Sequence, residues 1–133
     1  MDQELGMVEY LWRAGLEDEA VKLGRRLLES APENLAVVAA NGVLAARRGD
    51  RVEAEKLAEE LTGAGKTVAE RANHTYDRAC IAAQLGDIDR ALDLIRQTVA
   101  IGPVAPWYVM RVDPDLEPLR DHPAFQELLR PKG

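Results

Sequence analysis

The chain is poor in the groups that carry out chemistry. Among its 133 residues are one cysteine, one serine, two histidines and one phenylalanine, and aromatics make up 5% of the total. A single cysteine, Cys80, excludes an internal disulfide, so nothing calls for an oxidising compartment. It lies in the apolar run Ala79-Cys80-Ile81-Ala82-Ala83 and is expected to behave as a small buried hydrophobe. Ser30 sits just before Ala31-Pro32, at the end of an amphipathic segment, where a serine closes a helix rather than serving as a nucleophile. His74 and His122 are far apart with no second ligand at helical spacing, so neither metal nor cofactor is expected. Positive charge is in deficit: 17 Lys and Arg against 23 Asp and Glu give −6. Such a domain repels phosphate backbones, which argues against a nucleic-acid partner. Long apolar runs are missing too. The longest, Ala36 to Ala46, falls short of the roughly 20 residues of a membrane span and is broken by Asn41-Gly42. The start, Met1-Asp2-Gln3-Glu4, is acidic where a secretory leader is basic. No membrane association is expected, and the cytoplasm is the expected location.

What is present suits one soluble domain: 47% hydrophobic and 30% charged residues, with a core that must be built from Leu, Ala, Val and Ile. One segment imitates a catalytic motif. Thr62-Gly63-Ala64-Gly65-Lys66-Thr67 looks like the end of a phosphate-binding loop. That loop needs a further glycine where this chain has Glu60, and it follows a buried strand. Here the preceding residues, Val52 to Leu61, have helical period and propensity. The glycines are therefore expected to end a helix, and the chain is not expected to be an enzyme.

Three segments align with one another. In each, a first helix ends at a glycine (Gly15, Gly49, Gly86), an alanine follows five residues later (Ala20, Ala54, Ala91), and leucines or isoleucines then recur every three to four residues. The glycines are 34 and then 37 residues apart. Glycine accepts the left-handed turn, acidic residues open the next helix, and the alanine lets the paired helices approach. Such hairpins bury their apolar faces only by stacking, and about three suffice. The predicted fold is all-α: an α-solenoid of three helix-turn-helix repeats, at about 2–34, 35–66 and 67–103, within one domain. A C-terminal cap with a short final helix follows at about 104–130. Trp107, Tyr108, Leu116, Leu119, Phe125, Leu128 and Leu129 supply its apolar surface, and Asp121 is expected to cap the last helix with Pro123 in its first turn. The alternative use of this tail is recruitment of a partner through its aromatics.

Gly, Ala five residues later and Pro beyond, on a period near 34, resemble the tetratricopeptide repeat. Asn73 to Asp87 and the tail Arg111 to Leu129 are similar to the closing "end-of-group" segment of bacterial arrays of that family. The resemblance implies a bacterial protein, and such arrays stand alone or sit behind serine/threonine kinases or class III nucleotide cyclases. Two positions depart from the pattern. Asn41 and Arg78 stand where the family has a buried leucine, and Arg78 is expected to snorkel to the edge or to pair with a carboxylate.

The resemblance also implies that first helices line a groove for a partner's peptide or helix. The positions that fall on this stripe are Glu9, Trp12 and Arg13, then Ala39, Val43 and Arg47, then Tyr76, Cys80 and Gln84, with Leu5, Ala46 and Ala83 beside them. Arg13 and Arg47, at matching places, are candidates to grip a partner's carboxylate; the alternative is that both are solvated at helix C-termini. The resulting expectation is a protein–protein interaction or scaffolding module. The alternative is self-association as a homodimer through the apolar face of Leu35 to Ala46.

Overall fold

The computed structural model describes residues 2–101 and 107–130. Its helices are α1 (Asp2–Arg13), α2 (Glu17–Ser30), α3 (Leu35–Arg47), α4 (Arg51–Glu60), α5 (Val68–Gln84), α6 (Ile88–Ile101), α7 (Trp107–Val112) and α8 (Pro123–Leu128), with a 3-10 helix at Pro114–Leu119 before α8. No strand occurs among the described residues. The fold is thus an all-α helical repeat. The join between third repeat and cap, with Pro103 and Pro106, lies outside the described residues, as do the side chains of Trp107 and Tyr108.

The turn chemistry sets the hairpins. Gly15, Gly49 and Gly86 have φ of 84°, 78° and 83°, a region that other residues enter only at a cost. Asn34, Asp50 and Thr67 then open α3, α4 and α5 with side chains that accept from backbone N–H groups of the first turn. Each cap is worth about 1 kcal/mol. Ala20, Ala54 and Ala91 are completely buried where the paired helices touch.

Pairing runs α1 with α2, α3 with α4 and α5 with α6, while α3 also packs on α1, α2 and α5. This position explains why α3 is buried almost all round, from Val37 through Ala46 with only Ala40 partly open. Gly42 makes the α3–α5 approach feasible: a Cβ there would lie 2.5 Å from Ile81 Cδ1. Asn41 fits because its amide nitrogen donates to the carbonyls of Gly24 (3.0 Å) and Val37 (2.9 Å). Arg78 does not find the carboxylate partner. It is half-buried, its Nε has no hydrogen-bond partner, and it forms no ion pair among the described residues. Burial, then the charge of Arg90, holds its guanidinium below the usual arginine range.

The 3-10 helix lies along α5. Leu116, Leu119, Phe125 and Leu129 close the core that begins with Ala54, Leu57 and Ile81. The tail is a cap through these side chains. Its last helix opens differently from the expectation: the cap is His122, whose Nδ1 accepts from Ala124 N at 3.1 Å, and not Asp121.

The segment that imitates a phosphate loop links α4 to α5 and ends on the α5 cap, Thr67. Thr67 and Glu70 form a capping box, and the Glu70 carboxylate accepts from the backbone N–H groups of Lys66 (2.7 Å) and Thr67 (3.2 Å). These amides are the ones that would face a phosphate. A carboxylate of the same chain already holds them, and they keep it below the usual carboxylate range.

Candidate functional site

The first helices and the tail enclose a cavity of about 350 Å³. Leu5, Val8 and Leu44 with Ala36, Ala39, Ala40 and Val43 form an apolar wall, and Glu9, Arg13, Arg47, Asp77, Cys80, Asp113 and Asp115 form a polar one. Of the nine residues expected on the stripe, Glu9, Arg13, Ala39, Val43, Arg47 and Cys80 border this cavity, and Trp12, Tyr76 and Gln84 do not.

Arg47 is the hub. Its guanidinium donates to both oxygens of Glu9 at 3.0 and 3.1 Å and to Asp115 Oδ1 at 2.5 Å. It also lies over the Trp12 ring, 5.5 Å from the centroid, within cation–π range. Its side chain is 7% exposed. Burial alone would lower its pKa, yet the two carboxylates outweigh burial and raise it. Glu9 likewise ends below its usual range: burial pushes it up, and Arg47 and Arg13 together pull it further down. Arg13 donates from Nε to Glu9 at 3.0 Å. The two arginines expected to reach for a partner's carboxylate thus already hold a carboxylate of this chain, and Arg47 is a structural joint between α1, α3 and the tail.

The third repeat's share of the stripe is covered by the tail. Gln84 Nε2 donates to the carbonyl of Asp115 at 2.9 Å, and Tyr76 Oη donates to Asp113 Oδ2 at 2.5 Å. Asp113 also opens the 3-10 helix by accepting from Asp115 N. Cys80 is buried against the same segment, and burial, then Asp115 and Asp113, push its thiol well up. Burial first, then Cys80 and Asp113, raises the Tyr76 hydroxyl.

Two acidic residues of the site, Asp113 and Asp115, come from the tail and were not visible in the stripe; a third, Asp77, comes from α5. Burial raises Asp115 to about 6, with the neighbouring Asp113 adding to it and Arg47 opposing. Burial also raises Asp77 to about 6. Asp77 faces His74 Nδ1 at 3.7 Å, too long for a hydrogen bond. The sequence signal was faint, since Asp113-Pro114-Asp115 reads only as the start of a short turn. Its contact with Arg47 spans 68 residues.

A similar protein is the cellulose synthase 2 operon protein C of Komagataeibacter xylinus, 28% identical over 120 residues. The match takes in 88% of this chain and 9% of that protein. No family model matches the chain. No solved structure matches it significantly. What these likenesses and the fold establish together is a helical-repeat chain with a distant bacterial relative that is many times longer.

Proposed function

We propose that the chain is a protein–protein interaction module of the tetratricopeptide type, and that it holds a segment of a partner protein in the cavity between α1, α3, α5 and the tail. The observation that carries this reading is the cavity's position, formed by residues from matching positions of successive repeats. In a module of this kind the stacked helices supply rigidity, and the side chains on their shared face supply selectivity. The likeness to a stretch of a much longer operon protein supports a scaffolding role within a larger bacterial assembly. A kinase or cyclase is the further setting that the tail's resemblance suggests, and the cytoplasm is its location. No described helix is long and apolar enough to cross a membrane. Binding rather than catalysis is the activity. Support comes from a buried thiol with a raised pKa and from loop amides that are already engaged by Glu70.

The test is capture with the tagged chain and with an Ala36→Gln/Ala40→Gln variant. Both alanines border the cavity outside the tightest packing, so the variant fills it while keeping its melting temperature. Loss of a wild-type partner supports the reading, and unchanged capture contradicts it.

Self-association is the second reading, but not through the face expected for it: from Val37 to Ala46 that face is buried against α1, α2, α4 and α5. The surface left is on α1 and α2, where Tyr10 is 66% exposed and Met7, 48% exposed, borders with Leu11 and Leu23 a depression of about 700 Å³. A light-scattering mass that doubles with concentration, and that Tyr10→Glu returns to one chain, would favour it.

A further inference from the structure

The charges on the cavity do not balance. Four carboxylates border it, those of Glu9, Asp77, Asp113 and Asp115, against the two guanidinium groups of Arg13 and Arg47. Both cations are already committed. Arg13 is on Glu9, and Arg47 is shared between Glu9 and Asp115. Asp113 accepts from a neutral phenol, Tyr76, and from the backbone N–H of Asp115, and Asp77 faces His74 beyond hydrogen-bond distance. The same cavity has an aliphatic floor of Ala36, Ala39, Ala40 and Val43. The excess negative charge therefore shares with apolar surface a space large enough for one or two side chains.

Resting on the interaction reading above, we propose that the partner segment is basic and amphipathic: it lays small aliphatic residues on the α3 floor and places one lysine or arginine at Asp77 and Asp113. A cation there meets carboxylates in a partly dry site, where a charge-assisted hydrogen bond is stronger than in water. An acidic segment, the kind two groove arginines suggest, meets like charge instead and finds Arg47 already held by Glu9 and Asp115. Asp77 is the discriminating residue. Unlike Asp113 and Asp115, it takes no part in the joint between tail and helices: among the described residues its ion-pair contact is with His74, three residues away on α5.

The test uses the full chain, labelled for amide NMR, and three blocked helical peptides. They share an Ala/Leu face and differ at one position, which is lysine, norleucine or glutamate. The expected result is shifts at Ala39, Val43 and Asp77, with the lysine peptide binding at least tenfold more tightly than the glutamate peptide. Asp77→Asn should reduce that preference to threefold or less without loss of the native spectrum. Butylamine at the same concentrations should leave these amides unmoved. Equal binding of the three peptides overturns the basic-partner inference and leaves the groove reading standing. A lysine preference that survives Asp77→Asn also overturns it. Shifts produced by zinc or magnesium alone would assign the charge to a metal on Cys80, Asp113 and Asp115, the one such group among the described residues, and would overturn it as well. No perturbation of cavity amides by any peptide removes both readings.

Discussion

At the scale of single residues, the site trades stability for charge. Asp77 has an ordinary carboxylate value of 3.8 when unfolded and about 6 when folded. The folded state therefore holds the proton more tightly, and stability from this group is fully present at low pH. It is lost as pH rises from about 4 through 6. The groups that face Asp77 act in both directions: His74 favours its charge, while Asp113 and Asp115 oppose it. At pH 7.5 the ionised form is a cost. Asp77→Asn should then raise stability by about 1 kcal/mol, a value that allows for the third of the side chain in solvent. That corresponds to about 3–5 °C in melting temperature. At pH 4.5 about two thirds of the gain should be gone. Thermal melts at the two pH values check this, and a variant no more stable than wild type at pH 7.5 would contradict it.

Residue identities also mark the limit of what the sequence discloses. Asn41 and Arg78 both stand out at a position that wants leucine, and both could be named in advance. Their fates differ for reasons of packing. Asn41 finds two carbonyls because Gly24 brings α2 close to it, whereas Arg78 has Arg90 near it and no hydrogen-bond partner for its buried Nε.

At the scale of helices, the repeat is legible because its rules are local. Turn glycines, caps and the buried alanine act within a few residues, and the helices fall where those signals put them. Close approach between helices is the next rule. Gly42 lies where α3 meets α5, and Ile81, 1% exposed, has little room to yield. Gly42→Ala should destabilise the chain by about 1–2 kcal/mol, the overpacking cost outweighing the helix-propensity gain. Gly6, within α1, has nothing within 4 Å of a built Cβ, so Gly6→Ala should be neutral or stabilising by up to about 1 kcal/mol. Urea midpoints of the two variants check the contrast. Equal shifts would mean that α3 and α5 do not meet as closely as described.

At the scale of the whole molecule, the tail decides both stability and site. Its role as a lid over the last helix follows from its apolar residues, and Leu116, Leu119 and Phe125 are indeed among the most buried side chains. Its return across the first-helix face was not legible. The joint between Arg47 and Asp115 links residues 68 apart, and no local pattern encodes such a pairing. Asp113 and Asp115 thereby enter a site that the repeat stripe alone assigns to other residues. Ending the chain after Val112 should remove four buried apolar side chains, each worth about 1.5–3 kcal/mol. The sum is comparable to the whole stability of a domain of this size. The shortened chain should lose its cooperative thermal transition and bind a hydrophobic dye, as circular dichroism and fluorescence would report. A cooperative melt within a few degrees of the full chain would show that the repeats close their core without the tail.

The central claim is that a partner segment occupies the cavity between the first helices and the tail. Hydrogen exchange of the full chain, with and without a captured partner, tests it most directly. The account predicts added protection in α1 and α3, around residues 5–9 and 36–43, and in the tail at 113–115. Protection confined to α2, α4 and α6, on the opposite layer, would contradict it.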